Sequence, residues 1–441
     1  MEQDSAIASR GSRSIEWPVA LLLVLLIGNL AMTRSFAHIG IAPLFIAELS
    51  IGLILLLRPS VFLGHWLRSL VKDGPLTVLA YSALIFVAYG AFQCLRGLAG
   101  DYPKIALQNF AFHFYVVFLF AGIWLGTQRA DLLPKIVRWG SWIIGTYGVL
   151  YLLVFADASD PSTLPETNKV SLFGQPHGCG LMIVGLLVYE RKWRSALVPL
   201  MLNSFAMLGN QVRAEWLAFA AAVLAFALLT AQVKRLAIVS FALAGLLFVG
   251  LVLDFRVKAP SGRGGDISVR EIAGRAIASF DEKTATKLTP RAKSYSSTVS
   301  WRTGWWKNIY ASVHESPFTS LLGHGYSFAI WELHPENIPR VRTPHNIAVF
   351  CLAYGGWIGV IIFYTFYVIL GLTCLRSFLT TGDPFGCCFW VGYTVWAPFD
   401  NLMESPYGAI PFYLLCGIYL APLLGAKSRQ SASHSIPGAE S

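Results

Sequence analysis

The sequence predicts an all-α fold: a polytopic membrane protein of about twelve transmembrane helices, with one long segment outside the bilayer between helices nine and ten. Three observations lead there. Of 441 residues, 55% are hydrophobic and only 13% charged, more apolar surface than a soluble core could hide. Apolar runs long enough to cross hydrocarbon recur along the whole chain. Lysine and arginine are distributed unequally between alternate loops, as in a chain threaded back and forth across a membrane.

The apolar runs lie near residues 17–33, 39–57, 75–95, 107–127, 138–156, 177–190, 195–211, 214–231, 235–254, 345–371, 384–399 and 407–425. The sixth and eleventh are short and interrupted by Gly or Pro. If Arg10 and Arg13 stay in the cytoplasm, that side collects 16 basic residues, and the short loops opposite hold five: Arg34, Arg96, Lys104, Lys169 and Arg213. The remaining 13 fall in one long stretch, which the rule does not count. Both termini are then cytoplasmic. Arg10 and Arg13 could also open a secretory signal, but cleavage would invert the charge parity of every later loop, so a retained first helix is expected.

The net charge of +10 does not indicate nucleic acid, because the basic residues stand singly or in pairs between apolar runs and form no stripe with stacking aromatics. The seven cysteines mostly lie in apolar segments without disulfide or zinc spacing, and are expected to be packing residues. Glu48 falls mid-run in the second helix, where an acid must be protonated, paired or facing a polar cavity.

Four regions result: helices one to nine over 1–254, the outward segment 255–344, helices ten to twelve over 345–425, and a disordered tail over 426–441 rich in Ser, Ala and Gly. Within the outward segment, 266–281 and 298–315 can be written as helices, punctuated by Gly262, Gly264, Gly265, Pro290, Pro335 and Pro339. Trp301, Trp305, Trp306 and Tyr310 recur near helical spacing, as in a helix lying among lipid headgroups. His314, His324 and His334 follow at ten-residue intervals that fit no metal-ligand pattern, so neither metal nor other cofactor is expected.

Arg342-Thr343-Pro344-His345-Asn346 opens the tenth span. Thr343 can cap the helix and Pro344 can be its first residue, which puts His345 in the opening turn. Free N–H groups there form a seat for phosphate. The same field, with Arg342 adjacent, favours a neutral imidazole able to accept a proton. Gly356, eleven residues on, shares the face of His345, and Gly359 keeps that stripe thin.

His345-Asn346, nine residues and then Gly356-Trp357-Ile358-Gly359 resembles the His-Asn-x9-Gly-x-x-Gly pattern of O-antigen ligases and related O-antigen polymerase-like membrane proteins. Gln211 to Leu217 is similar to that family's arginine at the outer start of a helix. Trp301-Arg302 through Trp306, then Ser316-Pro317-Phe318 and Gly323-His324-Gly325-Tyr326, resemble its Arg-x3-Trp and Pro-x-Gly-x-Gly stretch, with leucines where the first glycine usually stands. The resemblance covers roughly 200–420.

It implies a bacterial inner-membrane enzyme, with residues 255–344 periplasmic, that transfers glycan from an undecaprenyl-diphosphate-linked donor to an acceptor hydroxyl. The acceptor is a lipid-anchored core sugar in a ligase and another lipid-linked repeat unit in a polymerase. The ligase reading stands ahead by a narrow margin. Membrane lipids are the remaining partner. His345 is the expected base. Arg213 and Arg302 are expected to stabilise the departing diphosphate, and Arg342 to bind substrate or tune His345. Asp400 and Glu404, in the last outward loop, are candidates for orienting the acceptor sugar. A transporter for the same lipid carrier is the competing class; it would show paired halves with broken helices, or internal repeats, and the sequence has no such internal symmetry.

Overall fold

The computed structural model describes residues 16–41, 44–155, 173–258, 266–278, 281–289, 291–335 and 343–424, and of 292–299 the backbone only. The expected tail 426–441, Arg342 and Pro339 lie outside these residues. The described chain is a bundle of helices with two short antiparallel hairpins, Gly40–Ile41 with Leu44–Phe45 and Val257–Lys258 with Asp266–Ile267.

The helices run α1 Trp17–Ala37, α2 Ile46–Leu57, α3 Ser60–Val71, α4 Thr77–Leu98, α5 Pro103–Phe114, α6 Val117–Gln128, α7 Leu132–Leu150, α8 Cys179–Tyr189 and α9 Trp193–Gly209. They continue with α10 Arg213–Thr230, α11 Val233–Val252, α12 Val269–Ile277, α13 Glu282–Leu288, α14 Ala292–Val313, α15 Pro317–Leu322, α16 Ile347–Thr381, α17 Phe385–Trp396 and α18 Pro406–Leu420.

A helix stands at each of the twelve expected positions, but among the described residues only eight stretches are long and apolar enough to cross a membrane. A ninth is counted if α2 and α3, bent by 72° about Arg58-Pro59, form one broken span. Proline lacks the N–H that would continue the helix. The short helices α8 and α17 follow stretches that carry Gly174, Pro176 and Gly178, and Gly382 and Pro384, respectively. Helix α11 is almost bare of protein neighbours, with only Val239 buried, as a lipid-facing span would be. Helix α18 is the opposite: Tyr407 to Leu420 is buried throughout. It is crossed by α6 so closely that a Cβ on Gly122 or Gly417 would strike the other helix's backbone.

Two expectations are corrected here. Glu48 is not mid-span but in the first turn of α2, where Phe45 N–H donates to Oε2 at 3.1 Å and the Tyr115 hydroxyl donates to Oε1. Nor do the tryptophans of α14 form a headgroup anchor. Trp305 is fully buried with its indole N–H donating to Ile330 O at 3.1 Å, and the Trp306 indole donates to Pro344 O at 2.7 Å. All seven cysteines are buried and free, as their apolar surroundings suggested.

Helix α16 is not one straight rod. Gly356 leaves helical space at φ 60°, ψ −165°, and the carbonyls freed at this break are taken up by the loop after α15. His324 N–H donates to Ala353 O at 2.9 Å and Gly325 N–H to Tyr354 O at 3.0 Å. The Tyr89 hydroxyl donates to Gly355 O at 2.5 Å. Every orphaned polar group at such a break needs a partner inside an apolar bundle, and the Gly323–Gly325 loop supplies most of them. The break also ends the expected stripe running from His345 to Gly356 and Gly359.

Candidate active site

The helical part of α16 begins later than Thr343 and Pro344 suggested. Asn346 is the cap, its side-chain oxygen accepting from Ala348 N–H at 2.9 Å and Val349 N–H at 3.1 Å. Asparagine competes better than proline and threonine here because its amide oxygen reaches two orphan donors at once. His345 therefore lies outside the first turn, in left-handed backbone at φ 54°. For a residue with a bulky side chain this conformation costs energy and persists only where its surroundings hold it. Trp306 fixes the residue before it, through Pro344 O, and Ile347 N–H reaches Ala397 O at 3.3 Å across the end of α17.

This turn aims the imidazole at the loop between α17 and α18. His345 Nδ1 faces Asp400 Oδ1 at 3.8 Å, an ion-pair separation slightly longer than a hydrogen bond, with side chains 20% and 17% exposed. The indole of Trp301 meets the imidazole edge-on at 6.2 Å. Burial pushes the Asp400 carboxyl up, but His345, His177 and Arg34 outweigh it and hold the group well below the usual carboxylate range. Its neighbour Glu404 has no such company. Both its oxygens are sealed from solvent and no donor meets either in good geometry, although the N–H groups of Met403 and Glu404 lie near. Burial, with some repulsion from Asp400, pushes Glu404 up to about 8.

The flanks of the same loop are held by two arginines from distant parts of the chain. Arg302 Nη1 donates to Phe399 O at 2.9 Å, with its guanidinium 5.4 Å from the Trp301 ring centre. Arg34, near the end of α1, donates from Nη2 to Asn401 Oδ1 at 3.4 Å and lies 5.9 Å from the Tyr407 ring centre. Arg302, His345 and Arg34 thus meet three consecutive residues, Phe399, Asp400 and Asn401.

Arg213 is the first residue of α10, and its turn is tied to the same end of the bundle. Thr33 Oγ1 donates to Gln175 O at 2.9 Å, Gln175 Nε2 donates to Asn210 O at 2.8 Å, and Gln211 follows at φ 56°. Arg213's neighbour Glu215 accepts from Gly180 N–H at 3.3 Å. Arg96, in the last turn of α4 and not in a loop, is committed elsewhere: it donates to Leu322 O at 2.9 Å and Gly323 O at 3.3 Å.

Sequence reasoning missed two contributors. Arg34 entered only as one loop charge among five. His177, whose ring lies 5.7 Å from that of Trp396, carried no local pattern at all. Chain entry into the site at both places is irregular, and irregular backbone has no periodicity to read.

The arrangement offers a base candidate with an ionised carboxylate behind it and guanidinium groups on either side. That is the equipment for taking a proton from a hydroxyl while a strongly anionic group departs. No curated protein matches the chain. The family match spans α10, the α14 arginine and tryptophans, the α15 loop and α16 through the Gly356 break to residue 364, while Arg34 and Asp400 lie outside it. The chain is a multi-pass membrane protein whose residues 196–364, holding Arg213, Arg302 and His345, match the family model described as O-antigen ligase.

Proposed function

We propose that the protein is a metal-independent glycosyltransferase of the bacterial inner membrane, moving a glycan from an undecaprenyl-diphosphate-linked donor to an acceptor hydroxyl on the periplasmic face. The acceptor is the lipid A core, which makes the protein an O-antigen ligase; a polymerase that extends another lipid-linked repeat is the second reading within the same family. Twelve crossings with cytoplasmic termini fit the lysine and arginine bias.

The observation that carries the reading is the approach of His345 Nδ1 to Asp400 Oδ1 at 3.8 Å. A ring whose Nδ1 faces a carboxylate presents Nε2, on its far side, to an incoming hydroxyl. His345 takes the acceptor proton as the oxygen attacks the anomeric carbon, and Asp400 stabilises the imidazolium that forms. The bond to the diphosphate breaks on the opposite face, so the configuration inverts. Guanidinium groups neutralise the leaving diphosphate with planar, permanently charged donors. Arg302, which donates to Phe399 O beside Asp400, takes this role in the reading, and Arg213 and Arg342 share it. The left-handed strain at His345 supports a functional role, since a helix cap alone needs only Asn346.

The test is to supply purified protein in vesicles with one defined lipid-linked glycan and lipid A core. A chain on the core lipid supports the ligase, a longer chain on the carrier the polymerase. His345→Ala should abolish either product while leaving insertion and abundance unchanged. Transfer that needs a divalent metal or a nucleotide sugar would refute the assignment, and a variant that still moves intact lipid-linked glycan across the bilayer would indicate a transporter instead.

A further inference from the structure

Five non-glycine residues among those described have positive φ, and three of them flank the candidate site: Thr33 at 42°, Gln211 at 56° and His345 at 54°. Each precedes or carries a side chain with a charge to place. Gln211 stands two residues before Arg213, His345 is the expected base, and Thr33 is followed directly by Arg34. A β-branched residue in this region is an outlier that the surroundings must enforce. They do so here. Helix α1 is broken at Thr33, the Leu30 carbonyl accepts from His177 N–H and Gly178 N–H, both at 3.2 Å, and the Thr33 hydroxyl is tied to Gln175 O.

The break delivers Arg34 to the loop that faces His345. Among the described residues its guanidinium makes one long bond, from Nη2 to Asn401 Oδ1 at 3.4 Å, and its other neighbours there are the Tyr407 hydroxyl and the charge of Asp400. Arg34 is exposed, whereas Asn401, which also accepts from the Tyr407 hydroxyl at 2.6 Å, is buried. A purely structural arginine in an apolar bundle would resemble Arg96, whose Nη1 donates at 2.7 and 2.9 Å and whose Nη2 at 3.3 Å. Arg34 instead is held loosely, by one long bond and the Tyr407 hydroxyl, beside the carboxylate that backs the base and on the flank of the loop opposite Arg302.

We propose that Arg34 binds the diphosphate of the lipid-linked donor, forming with Arg302 a two-sided guanidinium clamp about the Phe399–Asn401 loop. This rests on the donor assignment above and adds a residue outside the stretch that matches the family. The fork geometry suits two phosphate oxygens at once, and the Tyr407 ring beneath fixes its plane.

The experiment measures binding of undecaprenyl diphosphate to the full chain in nanodiscs, for the natural protein, Arg34→Gln and Arg34→Met, with inorganic diphosphate as a second probe. Loss of a charge-assisted contact is expected to weaken binding roughly ten- to hundredfold in both variants and to flatten its salt dependence. The KM for acceptor should be unchanged and the thermal transition near that of the natural protein. Weaker binding of the lipid form with inorganic diphosphate barely bound by any form supports a headgroup site reached from the membrane; equal weakening of both probes supports a site for diphosphate alone. If the natural protein binds the lipid diphosphate and the variants bind it equally well, Arg34 is not a ligand and the donor assignment survives. If the natural protein does not bind it, the donor assignment fails and this inference with it. Loss of fold in both variants would make Arg34 a structural residue and overturn the proposal.

Discussion

His345 Nδ1 and Asp400 Oδ1 face one another at 3.8 Å, joining the residue just before α16 to the loop that leads into α18. Because His345, His177 and Arg34 overcome the effect of burial, Asp400 stays ionised throughout the working pH range. Its stabilising contribution is present above the ordinary carboxylate pKa of 3.8 and is lost only as pH falls toward its depressed value. Asp400→Asn is therefore expected to lower kcat by roughly 10- to 100-fold with donor KM little changed, and His345→Ala to lower it by about 10²–10⁴-fold. Steady-state transfer assays decide this, and a D400N protein with full kcat would remove Asp400 from the mechanism.

Gly356 and Gly323 bring two backbone segments into close approach near the site. A Cβ at Gly356 would drive into the backbone carbonyl of Leu321, and one at Gly323 would come within 2.5 Å of both Gly355 N and Gly356 N. Both positions also have positive φ. Gly356→Ala should cost roughly 2–4 kcal/mol, strain and clash together. Gly382→Ala is the control: its φ is also positive at 75°, but nothing lies within 4 Å, so only the backbone cost of about 1 kcal/mol remains. Thermal unfolding in detergent should separate the two variants, and equal losses would mean that close approach contributes nothing.

The helices were legible because apolar length and charge bias are properties of the sequence itself. What escaped was how they break. The chain bends by 72° between α2 and α3 at Pro59, Gly356 interrupted α16, and Thr33 bent α1 without any proline or glycine at the break. Local capping rules placed His345 one turn too deep, because Thr343-Pro344 fits the start of a helix as well as Asn346 does, and only the tertiary contacts through Trp306 and Ala397 choose between them. The same limit applies to the site. His345 and Arg302 stand in recognisable motifs, whereas Arg34 and His177 are identified only by what they face once the chain has folded. The glycine motif near 323 was readable as a pattern but not as the brace for Gly356 that it forms.

Arg96 tests whether basic residues on this face act on substrate or on the fold. Its guanidinium bonds to Gln93 and to the Leu322 and Gly323 carbonyls hold the loop that patches the α16 break. Arg96→Gln should lower stability by about 1.5–3 kcal/mol, the range for hydrogen bonds to a charged group. The KM for donor should stay close to that of the natural protein, in contrast to the expectation for Arg34. A large rise in donor KM without loss of stability would place Arg96 among the substrate ligands.

Glu404 makes the fold itself sensitive to pH. The groups that face it are Asp400, which repels its charge, the Cys351 thiol of α16, and the backbone N–H groups of Met403 and Glu404, which only partly offset its burial. Raised from 4.5 to about 8, its pKa favours the folded state fully below about 4.5, and that advantage drains away as pH rises toward 8. At neutral pH the loss amounts to about 3 kcal/mol. Glu404→Gln keeps the shape and removes the titration, so it should raise the thermal transition at pH 7 and abolish the decline between pH 5 and pH 8, while matching the natural protein near pH 4.5. The check is a set of melting curves across that range for both proteins; parallel profiles would mean that Glu404 finds a partner or water that keeps its charge comfortable in the folded state.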